Sequence, residues 1–259
     1  MHCTSSPSPR TFASAIDRAY LINARDPRRI RIDEYPTLTN PLQELLDGNR
    51  RWSAARHAED PHFFEQLATQ QSPKYLWIGC SDSRVPATQI VDLPPGEIFV
   101  QRNVANVVSH SDLNCLSAIQ FAVDVLKVEH IVVVGHYGCG GVQAVLDERK
   151  LGLVDNWLRH VGDVAQKHAS TLAALDLMSL RNTRLCELNA IEQVVNVCHT
   201  TMVMDAWERG QKLSVHAWCY SLDNGHVNDL DMHVDSRAAL QPVYEKALQK
   251  LTRLPAWHK

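Results

Sequence analysis

The chain has no long apolar run and no excess of basic residues, and both absences narrow what it can do. A membrane-crossing helix needs about 20 consecutive apolar residues, and no stretch approaches that, so no membrane partner is expected. Lys and Arg number 26 against 29 Asp and Glu, a formal net charge of -3, which argues against nucleic acid as a partner. No internal repeat of solenoid or propeller length is present. Disulfides are a poor account of the cysteines: there are 7, an odd number, and at least two sit in a metal-type arrangement. Thiols kept reduced in a cytoplasmic compartment are the expectation. What is present is ordinary for a globular chain: 45% hydrophobic and 21% charged residues over 259 positions, enough for one sizeable domain.

The densest chemistry follows two apolar runs. Tyr75-Leu76-Trp77-Ile78-Gly79 has the pattern of a short buried strand, and Cys80, Asp82 and Arg84 follow it on alternate residues. His130-Ile131-Val132-Val133-Val134 is a second such run, followed by Gly135-His136-Tyr137-Gly138-Cys139-Gly140-Gly141. Two strands thus deliver metal-type side chains at their C-terminal ends, where open α/β sheets bind ligands. Two thiolates and an imidazole form a soft set that suits zinc, and Asp82 is close enough in sequence to be a fourth ligand. The glycine spacing, Gly-x-x-Gly-x-Gly, matches neither the dinucleotide fingerprint nor the P-loop. Close backbone approach around a metal and a helix start packed on the sheet explain it better. Cys3, Cys115, Cys186, Cys198 and Cys219 lack partners at ligand spacing and read as ordinary thiols. Cys198-His199 falls in a helical pattern, so no second metal is expected there.

Cys-x-Asp-x-Arg followed by His-x-x-Cys resembles the signature of the beta-class carbonic anhydrases. The similarity runs from about Leu42 to about Asp231, and Trp77 to Pro86, Arg102 to Asn106 and His136 to Val142 are most similar to the bacterial members. The resemblance implies an α/β fold of beta-carbonic-anhydrase type, with a mainly parallel central sheet flanked by helices. It implies Zn2+ held by Cys80, His136 and Cys139, with Asp82 as a gate ligand that pairs with Arg84 when the enzyme is active. A zinc-bound hydroxide then attacks carbon dioxide, and bicarbonate and a proton leave. In one bacterial subgroup a Trp, an Arg and a Tyr form a non-catalytic bicarbonate pocket that favours the closed state. Trp77, Arg102 and Tyr220 match those positions. A homodimer or homotetramer is implied as well.

Two rival functions stay open at this point. Relatives that hydrolyse carbon disulfide or carbonyl sulfide share the metal ligands. A site permanently closed by Asp82 would be structural or anion-sensing instead, since four protein ligands leave no open position.

Residues 1–39 read as an extension outside the resemblance. Ser5-Ser6-Pro7-Ser8-Pro9 is turn-rich, and no apolar core follows the N-terminal charge, so a secretory signal is not expected. The arginines and serines leave an organellar transit peptide as the alternative to a cytoplasmic protein. Residues 40–259 are expected to form a single catalytic domain. Its helices are read from Leu42, Leu45, Leu46 and Trp52, from Phe63, Phe64 and Leu67, and from Leu116 to Leu126 behind an Asp112 cap. Further helical stripes run through Trp157 to Val161, Leu172 to Leu175 and Leu188 to Met202. Strands are expected at Ile98 to Gln101 and Leu213 to Tyr220. Asp223-Asn224-Gly225 signals a hairpin into Val227 to Met232, before a last helix from Leu240 to Leu251. The sheet is expected to be covered on both faces.

Overall fold

The computed structural model describes residues 40–69 and 72–251. The described chain divides after Pro61, inside the stretch expected to be one domain. The N-terminal unit is described by α1 (Gln43–Glu59), which buries none of its residues and leaves Leu42, Leu45, Leu46 and Trp52 exposed. The expected extension over residues 1–39, with its alternative of an organellar transit peptide, lies outside the described residues.

From His62 onward the chain builds one sheet. Its strands are β1 (Tyr75–Cys80), β2 (Ile98–Asn103), β3 (His130–His136), β4 (Ser214–Tyr220) and β5 (Val227–Val234). They lie in the order β2-β1-β3-β4-β5; the first four are parallel, and β5 runs antiparallel to β4 as the hairpin signal predicts. Gly225, at φ 76, supplies the left-handed residue of that turn. Parallel neighbours need crossovers, and these are the helices. A short helix α2 (Phe63–Thr69) precedes β1, α3 (Ala87–Ile90) joins β1 to β2, and α4 (Leu113–Gln120) joins β2 to β3. Between β3 and β4 come α5 (Gly140–Leu146), α6 (Val154–Lys167), α7 (Ala169–Ala173), α8 (Met178–Cys198) and α9 (Thr201–Glu208); α10 (Leu240–Lys250) follows β5.

Asp112 caps α4 as expected, its side chain accepting from the Asn114 N–H at 3.1 Å. After Gln120 the helix widens into a π turn over Phe121–Val125, which turns Ala122 and Val123 into the core. The core is lopsided. Strand residues such as Leu76, Ile78, Ile131, Val133, Val215 and Ala217 pack with α4 to α10 in one large cluster. The opposite face, expected to be fully covered too, carries a smaller cluster of Trp77, Ala87, Val132, Val134 and Tyr220, packed by the segment around α3. The difference arises because the long β3-to-β4 connection places all its helices in the larger core. α8 lies deepest. Gly135 of β3 permits its approach, since a Cβ there would sit 3.2 Å from the Cys186 carbonyl oxygen. Among the described residues no helix is long and apolar enough to cross a membrane.

Candidate metal centre

β1 and β3 are parallel neighbours with Gly79 opposite Val134, so their C-terminal ends lie side by side. Cys80 closes β1, His136 closes β3, and Cys139 sits just before α5. The two sulfurs are 3.8 Å apart, and one ring nitrogen of His136 completes a buried group whose ligand atoms all lie within 4.8 Å. A tetrahedral zinc with Zn–S bonds of about 2.3 Å separates two thiolates by about 3.8 Å. Among the described residues this is the one group of three His, Cys, Asp or Glu that could hold a metal ion. The tautomer of His136 also fits. Its Nδ1 lies 3.2 Å from the Tyr137 carbonyl oxygen, which only accepts, so Nδ1 carries the proton. Nε2 is then a bare lone pair, buried and without a hydrogen-bond partner. A buried acceptor left this way costs free energy unless an ion takes it up.

The thiols are prepared for a cation. Cys80 Sγ accepts from the backbone N–H of Asp82 at 3.4 Å and of Ala105 at 3.2 Å. The hydrogen bond from Cys139 draws the Cys80 thiol down to about 4 against the cost of burial, with the Asp82 N–H helping. The same contact, together with burial, pushes Cys139 up. The pair therefore gives up one proton readily and keeps the other between the sulfurs. A bound divalent ion displaces that second proton.

Asp82 stands outside the three-residue group. Its Oδ1 faces Arg84 Nη2 at 3.5 Å and its Oδ2 accepts from the Gly140 N–H at 3.3 Å. Arg84 adopts φ 60, and a Cβ at Gly140 would make only ordinary contact with the carboxylate at 3.5 Å. Gly141 is the close-approach glycine: a Cβ there would meet Leu158 at 3.1 Å and Val104 at 3.2 Å. Trp77 and Tyr220 share the smaller core cluster, with Trp77 edge-on to Trp218. Arg102 is bound to the metal loop. Its Nε and Nη2 donate to the Cys80 carbonyl at 3.0 and 2.8 Å, Nη1 donates to the Val85 carbonyl at 3.4 Å, and Nη2 also donates to the Ser83 hydroxyl.

Residues that sequence reasoning passed over support this loop from α8. Asn189 Nδ2 donates to the Ala105 carbonyl at 2.8 Å, Gln193 Oε1 accepts from the Val108 N–H at 2.8 Å, and Asn196 Nδ2 donates to the Val108 carbonyl at 3.0 Å. Ala105 holds φ 64 without being glycine, and its N–H reaches the Cys80 sulfur from that conformation. The available signal was the spacing of Asn189, Gln193 and Asn196, polar residues recurring every three to four positions on one helix. Beside the ligands, Tyr137 donates its phenol proton to buried Glu187 at 2.9 Å and accepts from Asn228 at 2.9 Å. Burial raises the Glu187 carboxyl, against the pull of Arg184.

Residues 75–227 match the family model described as carbonic anhydrase. A carbonic anhydrase of Emericella nidulans is 46% identical over 202 residues, covering 78% of this chain and 89% of that protein. The chain belongs to the carbonic anhydrase family, in its beta class. Among solved structures, a Coccomyxa beta-carbonic anhydrase in complex with acetazolamide superposes with a TM-score of 0.73 at 38% identity. It covers 84% of this chain and all (100%) of its own. A structure from a study of two tetrameric beta-carbonic anhydrases of Sordaria macrospora gives 0.70 at 37% identity, covering 74% of this chain and 98% of that one. These comparisons do not single out the bacterial subgroup that the motifs resemble. As a beta-carbonic anhydrase the protein is a zinc enzyme of carbon dioxide hydration, and the Cys80, His136 and Cys139 group is a fitting place for the ion.

Proposed function

We propose that Cys80 Sγ, His136 Nε2 and Cys139 Sγ hold the zinc, and that Asp82 and Arg84 control access to its fourth position. The observation that carries this reading is the buried His136 Nε2, which lacks a hydrogen-bond partner in a group of donors that meet within 4.8 Å. Zinc held there supplies a Lewis acid that acidifies a water in the open position, the nucleophile for carbon dioxide. Arg84 and the Gly140 N–H hold the Asp82 carboxylate away from the ligand group, which favours the open, catalytic arrangement. From there Asp82 accepts a hydrogen bond from the nucleophile and orients it; released from Arg84, it closes the site. In the Asp82→Asn variant zinc content should persist while hydration falls about 10²-fold or more. Loss of zinc with the carboxylate would reject the gate and make Asp82 a structural ligand.

A bicarbonate lodged among Trp77, Arg102 and Tyr220 would compete for a guanidinium that now holds Cys80, Ser83 and Val85. Anion binding there would thereby loosen the turn that carries Asp82 and Arg84, which is the coupling a regulatory site requires. Tyr220→Phe should weaken bicarbonate inhibition with uninhibited turnover preserved; unchanged inhibition rejects the pocket.

We place residues 40–259 in one catalytic polypeptide that assembles as a homodimer or homotetramer. Val100, Val104, Leu113, Phe121 and Val125 are exposed apolar residues suited to a second copy, and the Phe121 ring lies tilted against Phe99 with centroids 5.7 Å apart. A monomer in sedimentation at micromolar concentration would refute the assembly. The six described cysteines are free and buried, which supports a reducing, cytoplasmic setting that cell fractionation can check.

A further inference from the structure

Three histidines lie on neighbouring strands at the end of the sheet opposite the Cys80 and His136 centre. His130 opens β3, and His216 on β4 pairs directly across from His233 on β5. At about 3.3 Å per residue, His130 is roughly 20 Å along β3 from His136. The rings are close: His216 and His233 have centroids 4.7 Å apart, and His130 and His216 are 5.4 Å apart.

The geometry points to a second metal site, in which His216 Nδ1 and His233 Nδ1 bind one divalent zinc-like ion, with solvent completing the coordination. These two nitrogens are 3.3 Å apart. Two imidazoles each about 2.05 Å from a tetrahedral ion have nitrogens about 3.3 Å apart, so neither side chain needs to move far. The other nitrogen of His216 is oriented as metal-ligating histidines usually are. His216 Nε2 lies 2.9 Å from the Ser214 hydroxyl, and that hydroxyl lies 2.8 Å from His130 Nδ1. With Nε2–H donating to Ser214 and Ser214 donating to His130, every one of these polar atoms is used and His216 Nδ1 is left a lone pair. In the metal-free chain His233 Nδ1–H donates to that lone pair; when the ion binds, the His233 proton moves to Nε2 through solvent, and both Nδ1 atoms ligate without net proton release.

Burial, with His233 and His130 beside it, draws His216 down to about 4, so the ring is neutral and able to ligate near neutral pH. Solvent reaches the site through His233, which is exposed. His130 is not a third ligand to the same ion, because its Nδ1 faces the opposite nitrogen of His216 at 3.3 Å. The site depends on none of the residues assigned to the zinc centre.

The test is a titration of zinc ion into the full, zinc-loaded chain, with binding followed by calorimetry and metal content checked by equilibrium dialysis. The wild-type chain should take up a further equivalent. His233→Gln, a change at an exposed position, should weaken that uptake at least tenfold. His130→Gln should change it less than twofold, and hydration activity should be unchanged in both variants. No further uptake by the loaded wild type would overturn the proposal. So would equal uptake by His233→Gln, or a loss confined to His130→Gln.

Discussion

Replacing Asn189 by Ala tests whether α8 holds the metal loop in a strained conformation. The side chain lies 2.8 Å from the Ala105 carbonyl and accepts from Gln193 Nε2 at 3.0 Å, and it is buried. Its removal leaves a buried carbonyl and a buried amide unsatisfied, at about 1 to 3 kcal/mol each. Partial relaxation makes about 2 to 4 kcal/mol the expected total. For a chain of this size that lowers the melting temperature by roughly 5 to 15 °C. Ala105 adopts φ 64, which costs an L residue about 1 to 2 kcal/mol. Without Asn189 the turn can relax toward ordinary backbone and withdraw the Ala105 N–H from Cys80 Sγ. Loss of that hydrogen bond should weaken zinc binding about 10- to 100-fold, the usual effect of removing a group that orients a metal ligand.

Urea unfolding of the zinc-loaded protein and competition for zinc with a chromophoric chelator measure the two effects. Ala105→Gly is the control: glycine relieves the left-handed strain but gives up a buried methyl, so stability should change by less than about 1 kcal/mol. A stability loss below about 1 kcal/mol in Asn189→Ala, or unchanged zinc affinity, would refute the reasoning. An equal loss in Ala105→Gly would do the same.

The remaining expectations concern the gate, the anion pocket and acid. Asp82→Asn should retain zinc and lose hydration, and Tyr220→Phe should blunt bicarbonate inhibition. Acid should destabilise the fold through two groups. Burial and the neighbouring His233 and His130 hold His216 near about 4, below the ordinary 6.5, so the unfolded chain takes its proton first. Stability from this group is complete above pH 6.5 and falls as pH drops toward 4. Burial pushes the Glu192 carboxyl up, but hydrogen bonds from His168, Lys167 and Tyr244 outweigh it and hold the group near about 2. Its contribution is present above pH 4.5 and is lost as pH falls toward 2. Each is worth about 1 to 2 kcal/mol after discounting for partial solvent exposure. His216→Leu should flatten the limb between pH 6.5 and 4 in a pH series of urea melts; an unchanged limb would remove His216 from the account.

Much of this was legible in the residues, for identifiable reasons. Apolar runs ending in Gly79 and Val134 located β1 and β3, because a buried parallel strand has no solvent face to alternate with. Asp223-Asn224-Gly225 located the hairpin, and Asp112 the start of α4. The strands extend further than the apolar runs: β2 continues through Arg102 and Asn103, and β3 continues past Val134 to His136. Polar strand ends carry the chemistry, so hydropathy hides them. The left-handed Ala105 gave no signal, since neither glycine nor asparagine stands there and Asn189, which bonds its carbonyl, lies 84 residues away. The π turn at Phe121–Val125 has no local signature either. Arg102 is the instructive site residue: its place at the end of β2 could be read from the sequence, but its bonds to Cys80, Ser83 and Val85 depend on how the loop folds back.

The central claim is that a Cys80, His136 and Cys139 zinc site with an open fourth position hydrates carbon dioxide. Stopped-flow hydration with a pH indicator, on protein of verified zinc content and from neutral to alkaline pH, tests it most directly. Rapid hydration that rises toward alkaline pH and disappears with the zinc in Cys139→Ser is expected. Fully zinc-loaded protein that hydrates no carbon dioxide at any pH would contradict it.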